Sequence, residues 1–200
     1  MSAPIPFPPP FAQVDAVFLD RDGTINAKAP EGCYVTSPRA LRLLPGAGAA
    51  VRRLNDAGVP VVVVTNQRGV ALGKMTLGEV ARVNDSLQRR LSRLGARVDG
   101  FYVCPHQAGA CACRKPLPGL LLQASRDFPE RRLPHCVMIG DSEADVKAGL
   151  AAGCTAIRLG PPGTASIARV LCPDLAAAVD LLLRRGATEA PTSSSRLLDT

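Results

Sequence analysis

The stretch Ala16-Val17-Phe18-Leu19-Asp20-Arg21-Asp22-Gly23-Thr24 decides how this chain of 200 residues is read. Four apolar residues in a row read as a buried strand, and two carboxylates separated by one residue follow as the chain leaves it. In extended backbone, residues i and i+2 project to the same side, so Asp20 and Asp22 can reach one pocket while Gly23 supplies the turn. One carboxylate can attack and the other can handle protons. A carboxylate needs an electrophilic target, which suits phosphorus whose charge a metal neutralises. Taken alone, the segment also reads as a solvated Asp-x-Asp-Gly turn closing a strand.

Working outward, the same pattern recurs. Apolar runs at 59–64, 100–103, 136–139 and 155–159 join the first as five expected strands. Between them, residues 47–57, 77–94, 119–128 and 144–152 carry leucine, valine or alanine at helical spacing, with Gly58, Gly95 and Gly153 as stops. Alternation of this kind predicts an α/β fold around a parallel sheet covered on both faces.

In a parallel sheet the carboxyl ends of the strands share one edge, where ligands bind. Chemistry-bearing residues follow the runs there. Thr65-Asn66-Gln67 offers a hydroxyl, two amides and backbone N–H groups suited to phosphate oxygens, although a Thr ending a strand is commonly a plain β-former. Gly140-Asp141-Ser142-Glu143-Ala144-Asp145 brings more carboxylates. Hard cations such as Mg²⁺ take oxygen ligands, so Asp20, Asp141 and a backbone carbonyl could hold one ion. The same acidic segment suits a helix N-terminus, but several carboxylates in one crevice without a cation would repel one another. Arg114-Lys115-Pro116 adds two cations, of which a lysine could neutralise both the transferring phosphate and its nucleophile.

Just before that pair, Cys104-Pro105-His106 and Cys111-Ala112-Cys113 place three thiols and an imidazole within ten positions, the donor set of a tetrahedral structural Zn²⁺ site. Four protein ligands leave no open position, so this zinc would shape a loop that positions Arg114 and Lys115. Cys33, Cys136, Cys154 and Cys172 read as small apolar residues, and His135 has no evident partner.

Composition limits the remaining choices. With 46% hydrophobic residues the chain supports one domain, expected at 14–186, with a proline-rich tail at 1–13 and a Ser/Thr/Ala-rich tail at 187–200. No apolar stretch reaches the ~20 residues of a membrane span, and the N-terminus does not read as a secretion signal, so a cytoplasmic location is expected. The net charge of +7 suits anionic partners, but much of it falls on the helical segments Gln88-Arg89-Arg90 and Leu183-Arg184-Arg185, read as solvated faces. With 4% aromatic residues, stacking surfaces for nucleic acid are scarce.

Taken in order, Asp20-x-Asp22-Gly23-Thr24, Thr65, Lys115 and Gly140-Asp141-x-x-x-Asp145 resemble the four motifs of the haloacid dehalogenase superfamily of phosphatases, over roughly residues 16–160. The resemblance implies a three-layer, Rossmann-like fold without a large cap, since residues 26–45 and the zinc loop are too short to form one. It implies Asp20 as nucleophile of an aspartyl-phosphate intermediate and Asp22 as general acid, then base. Thr65 and Lys115 would hold the phosphoryl group. Mg²⁺ would sit on Asp20, Asp141 and the carbonyl of Asp22, with Asp145 in support.

A finer resemblance, carried by residues 18–26, Thr65-Asn66-Gln67, Cys104-Pro105-His106 and Cys113-Arg114-Lys115-Pro116, runs to the branch acting on D-glycero-D-manno-heptose 1,7-bisphosphate in heptose nucleotide biosynthesis. It implies removal of the 7-phosphate. Gly32 and Tyr34 would belong to a substrate loop and Arg114 to substrate recognition, joined by Arg21, Asn66, Gln67, Arg68 and Ser142. Arg68, where a small residue is common, and a shortened zinc loop depart from that pattern. Histidinol-phosphate phosphatases share the zinc ligands and are the rival; a polynucleotide 3'-phosphatase or a zinc-stabilised nucleic-acid module fits less well. The expected partner is a small phosphorylated metabolite, met by a monomer.

Overall fold

In the computed structural model, residues 14–184 are described. Both expected tails lie outside the described residues, as do 185 and 186 at the end of the expected domain. Strands β1 (Ala16–Leu19), β2 (Val61–Asn66), β3 (Gly100–Cys104), β4 (Cys136–Gly140), β5 (Thr155–Leu159) and β6 (Val170–Cys172) alternate with helices α1 (Ala47–Asp56), α2 (Leu77–Ser92), α3 (Gly119–Asp127), α4 (Glu143–Ala151) and α5 (Leu175–Arg184). The sheet has six strands where five were expected. β6 is three residues long, with only Cys172 buried, and such a fragment carries no periodic signal of its own.

All pairings are parallel, in the order β3-β2-β1-β4-β5-β6. The chain runs outward from β1 through β2 and β3, then returns to the other side of β1 with β4. The order therefore reverses beside β1, and crevices form at such switch points. β1 is buried on both faces, which is why it reads as an uninterrupted apolar run.

Alternation along the strands sorts the core into two layers. Val17, Leu19, Val61, Val63, Val137 and Ile139 face the layer containing residues of α1, α2 and α5. Ala16, Phe18, Val62, Val64, Cys136 and Met138 face Leu120, Leu121 and Ala124 of α3 and Ala148 of α4. Helix α2 starts at a capping box, with Thr76 accepting from the N–H of Glu79 while the Glu79 carboxylate accepts from the Thr76 N–H.

Residues 28–41 form the only long excursion between β1 and α1. Ala27 N–H to Arg42 O and Leu44 N–H to Ile25 O close its base, so it is a loop, with no room for a cap domain. It is fastened from outside. Arg90 of α2 donates to the carbonyls of Leu41 and Pro38, and Gln88 accepts from Val98 N–H, so these two are not part of a purely solvated face; of the triplet only Arg89 is exposed. Lys74 donates to the Gly32 carbonyl and lies 5.7 Å from the Tyr34 ring centroid.

Candidate active site

The backbone of β1 continues into Asp20, whose N–H donates to Ile139 O of the neighbouring β4. This places the Asp20 carboxylate between the ends of β2 and β4. Lys115 arrives from the loop before α3 and is almost wholly buried, its side chain 2% exposed. Its Nζ lies 2.7 Å from Asp20 Oδ1, 2.7 Å from Val64 O and 2.6 Å from Asp145 Oδ1. Burial alone would lower the Lys115 pKa, but the charges of Asp20 and Asp145 outweigh it and hold the ammonium above its usual range. Burial raises Asp20 to about 7 against the pull of Lys115, with the charge of Asp145 pushing the same way as burial.

Asp145 is fixed by the start of α4, where its Oδ2 accepts from both N–H and Oγ of Ser142. Asp141 precedes it by one helical turn. Ligand oxygens of Asp20, Asp141 and Asp145 all lie within 4.8 Å of one another. Asp141 Oδ1 is buried and has no hydrogen-bond partner among the described residues. An orphan carboxylate oxygen facing two further carboxylates fits a hard divalent cation, whose ligands are oxygens. Gly23 makes this approach possible. Its φ of 95° needs glycine, and a Cβ there would collide with Asp141 Oδ2.

Asp22 lies beside this centre with its carboxylate turned elsewhere. Its oxygens accept from Arg21 Nη2 at 2.9 and 3.1 Å, from Asn26 Nδ2 at 2.8 Å and from Gln67 Nε2 at 2.8 Å. Only its backbone carbonyl was expected at the metal, and the carboxylate is not part of the three-carboxylate group.

The cleft over this centre has a volume of about 290 Å³ and takes in Asp20, Asp22, Thr65, Asn66, Lys115, Asp141, Ser142 and Asp145 together with Gly32 and Tyr34 of the 28–41 loop. A larger cavity of about 450 Å³ shares Asp141 with it but touches neither Asp20, Thr65 nor Lys115, so the groups expected to handle phosphate gather in the smaller one.

Four residues expected at the substrate are placed differently. Arg21 is fully buried, clamped between Asp22 and Asn84 of α2, and has no surface to offer a ligand. Gln67 is 1% exposed and donates to both Asp22 and Thr65 Oγ1, which makes it a brace between them. Arg68 is exposed and Arg114 Nη1 donates to His106 O; neither lines the cleft. Asn66 does line it, and its side chain also ties down the backbone N–H and C=O of Lys115. Asn84 was missed, although a lone amide among Val80, Val83 and Leu87 on a buried helix face was its signal. Lys28, also missed, sits in the cleft with Nζ 2.5 Å from Asp141 Oδ2.

Cys104 ends β3, and the loop after it brings back His106, Cys111 and Cys113. The four donors lie 3.3 to 3.7 Å apart along their contacts. A tetrahedron with metal–sulfur bonds of about 2.3 Å and metal–nitrogen bonds of about 2.05 Å has edges of roughly 3.6–3.8 Å, so the donor set suits zinc. Burial raises Cys104 and lifts Cys113 to about 12; at Cys111 burial also raises, but hydrogen bonds from Cys113 and the Arg114 backbone win and bring it to about 6. Gly119 seats α3 on this loop, since a Cβ there would collide with the Ala112 carbonyl. Of the other cysteines, Cys136, Cys154 and Cys172 are buried as expected of small apolar residues, whereas Cys33 is exposed. His135 Nδ1 accepts from Arg132 Nη2, 3.2 Å away.

The profile of the haloacid dehalogenase-like hydrolases matches residues 27–153, more than half of the chain. The chain belongs to this family. Among its similar relatives, D-glycero-alpha-D-manno-heptose-1,7-bisphosphate 7-phosphatase of Mycobacterium bovis is 38% identical over 158 residues, 76% of this chain and 83% of the relative. The corresponding beta-heptose enzyme of Escherichia coli K12 is 36% identical over 162 residues, 76% of this chain and 83% of the relative. Among solved structures, D,D-heptose 1,7-bisphosphate phosphatase from Bordetella bronchiseptica, complexed with magnesium and phosphate, superposes with a TM-score of 0.78 at 34% identity, covering 85% of this chain and 98% of the other. The haloacid dehalogenase-like fold accounts for the parallel sheet, and the absence of an inserted domain between β1 and α1 makes this a member without a large cap. No helix among the described residues is long and apolar enough to cross a membrane.

Proposed function

We propose that this hydrolase is a magnesium-dependent phosphatase that removes the 7-phosphate of D-glycero-D-manno-heptose 1,7-bisphosphate. The observation that carries the phosphatase reading is the convergence of Asp20, Asp141 and Asp145 around the buried Lys115. The sugar is taken from what the similar enzymes act on.

In this reading a carboxylate oxygen of Asp20 attacks phosphorus, the ester bond to the sugar oxygen breaks, and that oxygen takes a proton from Asp22. Asp22 lies at the cleft wall, its carboxylate held in direction by the Arg21 fork. Water, losing its proton to Asp22, then attacks the aspartyl phosphate, releasing inorganic phosphate and restoring Asp20. Lys115 and Thr65 stabilise charge on the phosphoryl oxygens throughout. Asp20, Asp141 and the backbone carbonyl of Asp22 would hold Mg²⁺, with Asp145 behind them; when bound there it would supply charge neutralisation between the nucleophile and the phosphate. Cys104, His106, Cys111 and Cys113 would hold Zn²⁺ and set the loop that carries Lys115.

The test is a comparison of kcat/KM for both anomers of heptose 1,7-bisphosphate with that for histidinol phosphate, with and without Mg²⁺. One heptose anomer is expected to lead by at least tenfold, and Asp20→Asn to abolish turnover. Faster release from histidinol phosphate would replace the sugar reading, and turnover by Asp20→Asn would overturn the nucleophile.

A further inference from the structure

Four carboxylates, of Asp20, Asp22, Asp141 and Asp145, meet at the carboxyl edge of the sheet, and two buried cations, Arg21 and Lys115, answer them there. The deficit is two charges. Arg21 serves Asp22, and Lys115 serves Asp20 and Asp145, so Asp141 is the carboxylate that neither reaches. Lys28 reaches it. Its Nζ lies 2.5 Å from Asp141 Oδ2, and its Cε packs where a side chain on Gly23 would have to stand, so the stem lies directly across the Gly23 turn. The lysine side chain is 54% exposed, against 2% for Lys115, so leaving the contact breaks no packed core. Apart from Lys115, it is the one cation among the residues that line the cleft.

We propose that Lys28 is a tethered counter-cation of the metal centre, occupying Asp141 when the divalent ion is away and competing with it for that carboxylate. A single ammonium makes up half the missing charge and a divalent ion makes up all of it. The equilibrium therefore favours the ion once its concentration is sufficient, and Lys28 sets where that point lies. Lysine suits this role better than arginine would, since a compact ammonium on a flexible stem leaves a single oxygen readily, whereas a guanidinium fork grips two. The proposal rests on the reading of Asp20, Asp141 and Asp145 as a divalent-cation site and is independent of the sugar.

The experiment is calorimetric titration of Mg²⁺ into zinc-loaded wild-type protein and into Lys28→Gln and Lys28→Arg, at low and at high salt. At low salt Lys28→Gln is expected to bind Mg²⁺ about three- to tenfold more tightly than wild type, because an exposed like charge next to the ion has been removed. Lys28→Arg, which keeps the charge and grips the carboxylate harder, should bind Mg²⁺ no more tightly than wild type. The advantage of Lys28→Gln should shrink as salt screens the repulsion. Equal or weaker binding by Lys28→Gln, or an advantage that salt leaves untouched, overturns the proposal while leaving the metal site standing. Absence of Mg²⁺ binding by all three proteins overturns both.

Discussion

The ammonium of Lys115 stands 2.7 Å from the carboxylate of Asp20 and 2.6 Å from that of Asp145, joining residues 95 and 30 positions away in sequence. Removing it leaves two buried carboxylates facing each other without a cation. Lys115→Met is expected to lower stability by about 3–5 kcal/mol, as breaking buried charge pairs does. It should also lower kcat by at least about a hundredfold. Urea unfolding followed by circular dichroism, with and without Mg²⁺, measures the first; a loss of under about 1 kcal/mol would show that Lys115 is not the partner these carboxylates depend on.

Arg21 acts through Asp22. Arg21→Lys keeps the charge but cannot reproduce the fork on Asp22 together with the bond to Asn84, so the carboxylate loses its fixed direction. A fall in kcat of about ten- to a hundredfold with KM within twofold of wild type is expected, since no substrate contact is lost. A rise in KM at constant kcat would return Arg21 to the role of a substrate ligand.

Zinc removal should be felt at Lys115. A zinc-selective chelator is expected to lower Tm by at least about 5 °C and to raise amide exchange across 105–118, with activity lost although Asp20, Asp141 and Asp145 are unaltered. Retained protection in that loop after zinc is shown to be gone would separate the cluster from Lys115.

The capping box of α2 supplies a pH dependence away from the metals. Hydrogen bonds from the Thr76 backbone and side chain hold the Glu79 carboxyl below its usual range. A depressed carboxyl adds stability that is complete above the unfolded value of 4.5 and fades as pH falls through the lower folded value. Glu79→Gln should therefore melt below wild type at pH 7 and converge with it on acidification toward pH 3. A gap in Tm that stays constant across that range would show that the charge of Glu79 is immaterial.

Much of this was legible in the sequence because the sheet is parallel and buried. β1, β2 and β4 read as apolar runs, and each of Asp20, Thr65 and Asp141 follows or ends one, so strand ends and candidate groups could be located together. The Cys/His cluster was legible from spacing alone. Direction of side chains was not. Arg21 and Gln67 stand between residues of the centre and were expected to face outward with them, but strand alternation turns Arg21 into the protein, toward Asn84. Neither Asn84, 63 positions from Arg21, nor Lys28, which meets Asp141 only after β4 docks beside β1, has a neighbour in sequence that announces the contact. Arg90 looked solvated because its acceptors are backbone carbonyls of a loop, and backbone leaves no trace in composition.

The placement of β4 beside β1 has a consequence for a chain emerging from the ribosome. The first half, through β3, can zip three strands together and bury the apolar side of α2, yet it presents Asp20 at a raw sheet edge with two of its carboxylate companions still unsynthesised. The three-carboxylate group forms only when the segment beginning at Cys136 inserts against that edge and delivers Asp141 and Asp145. The three-carboxylate centre is thus completed late and all at once, and truncation anywhere before residue 145 leaves it without Asp145.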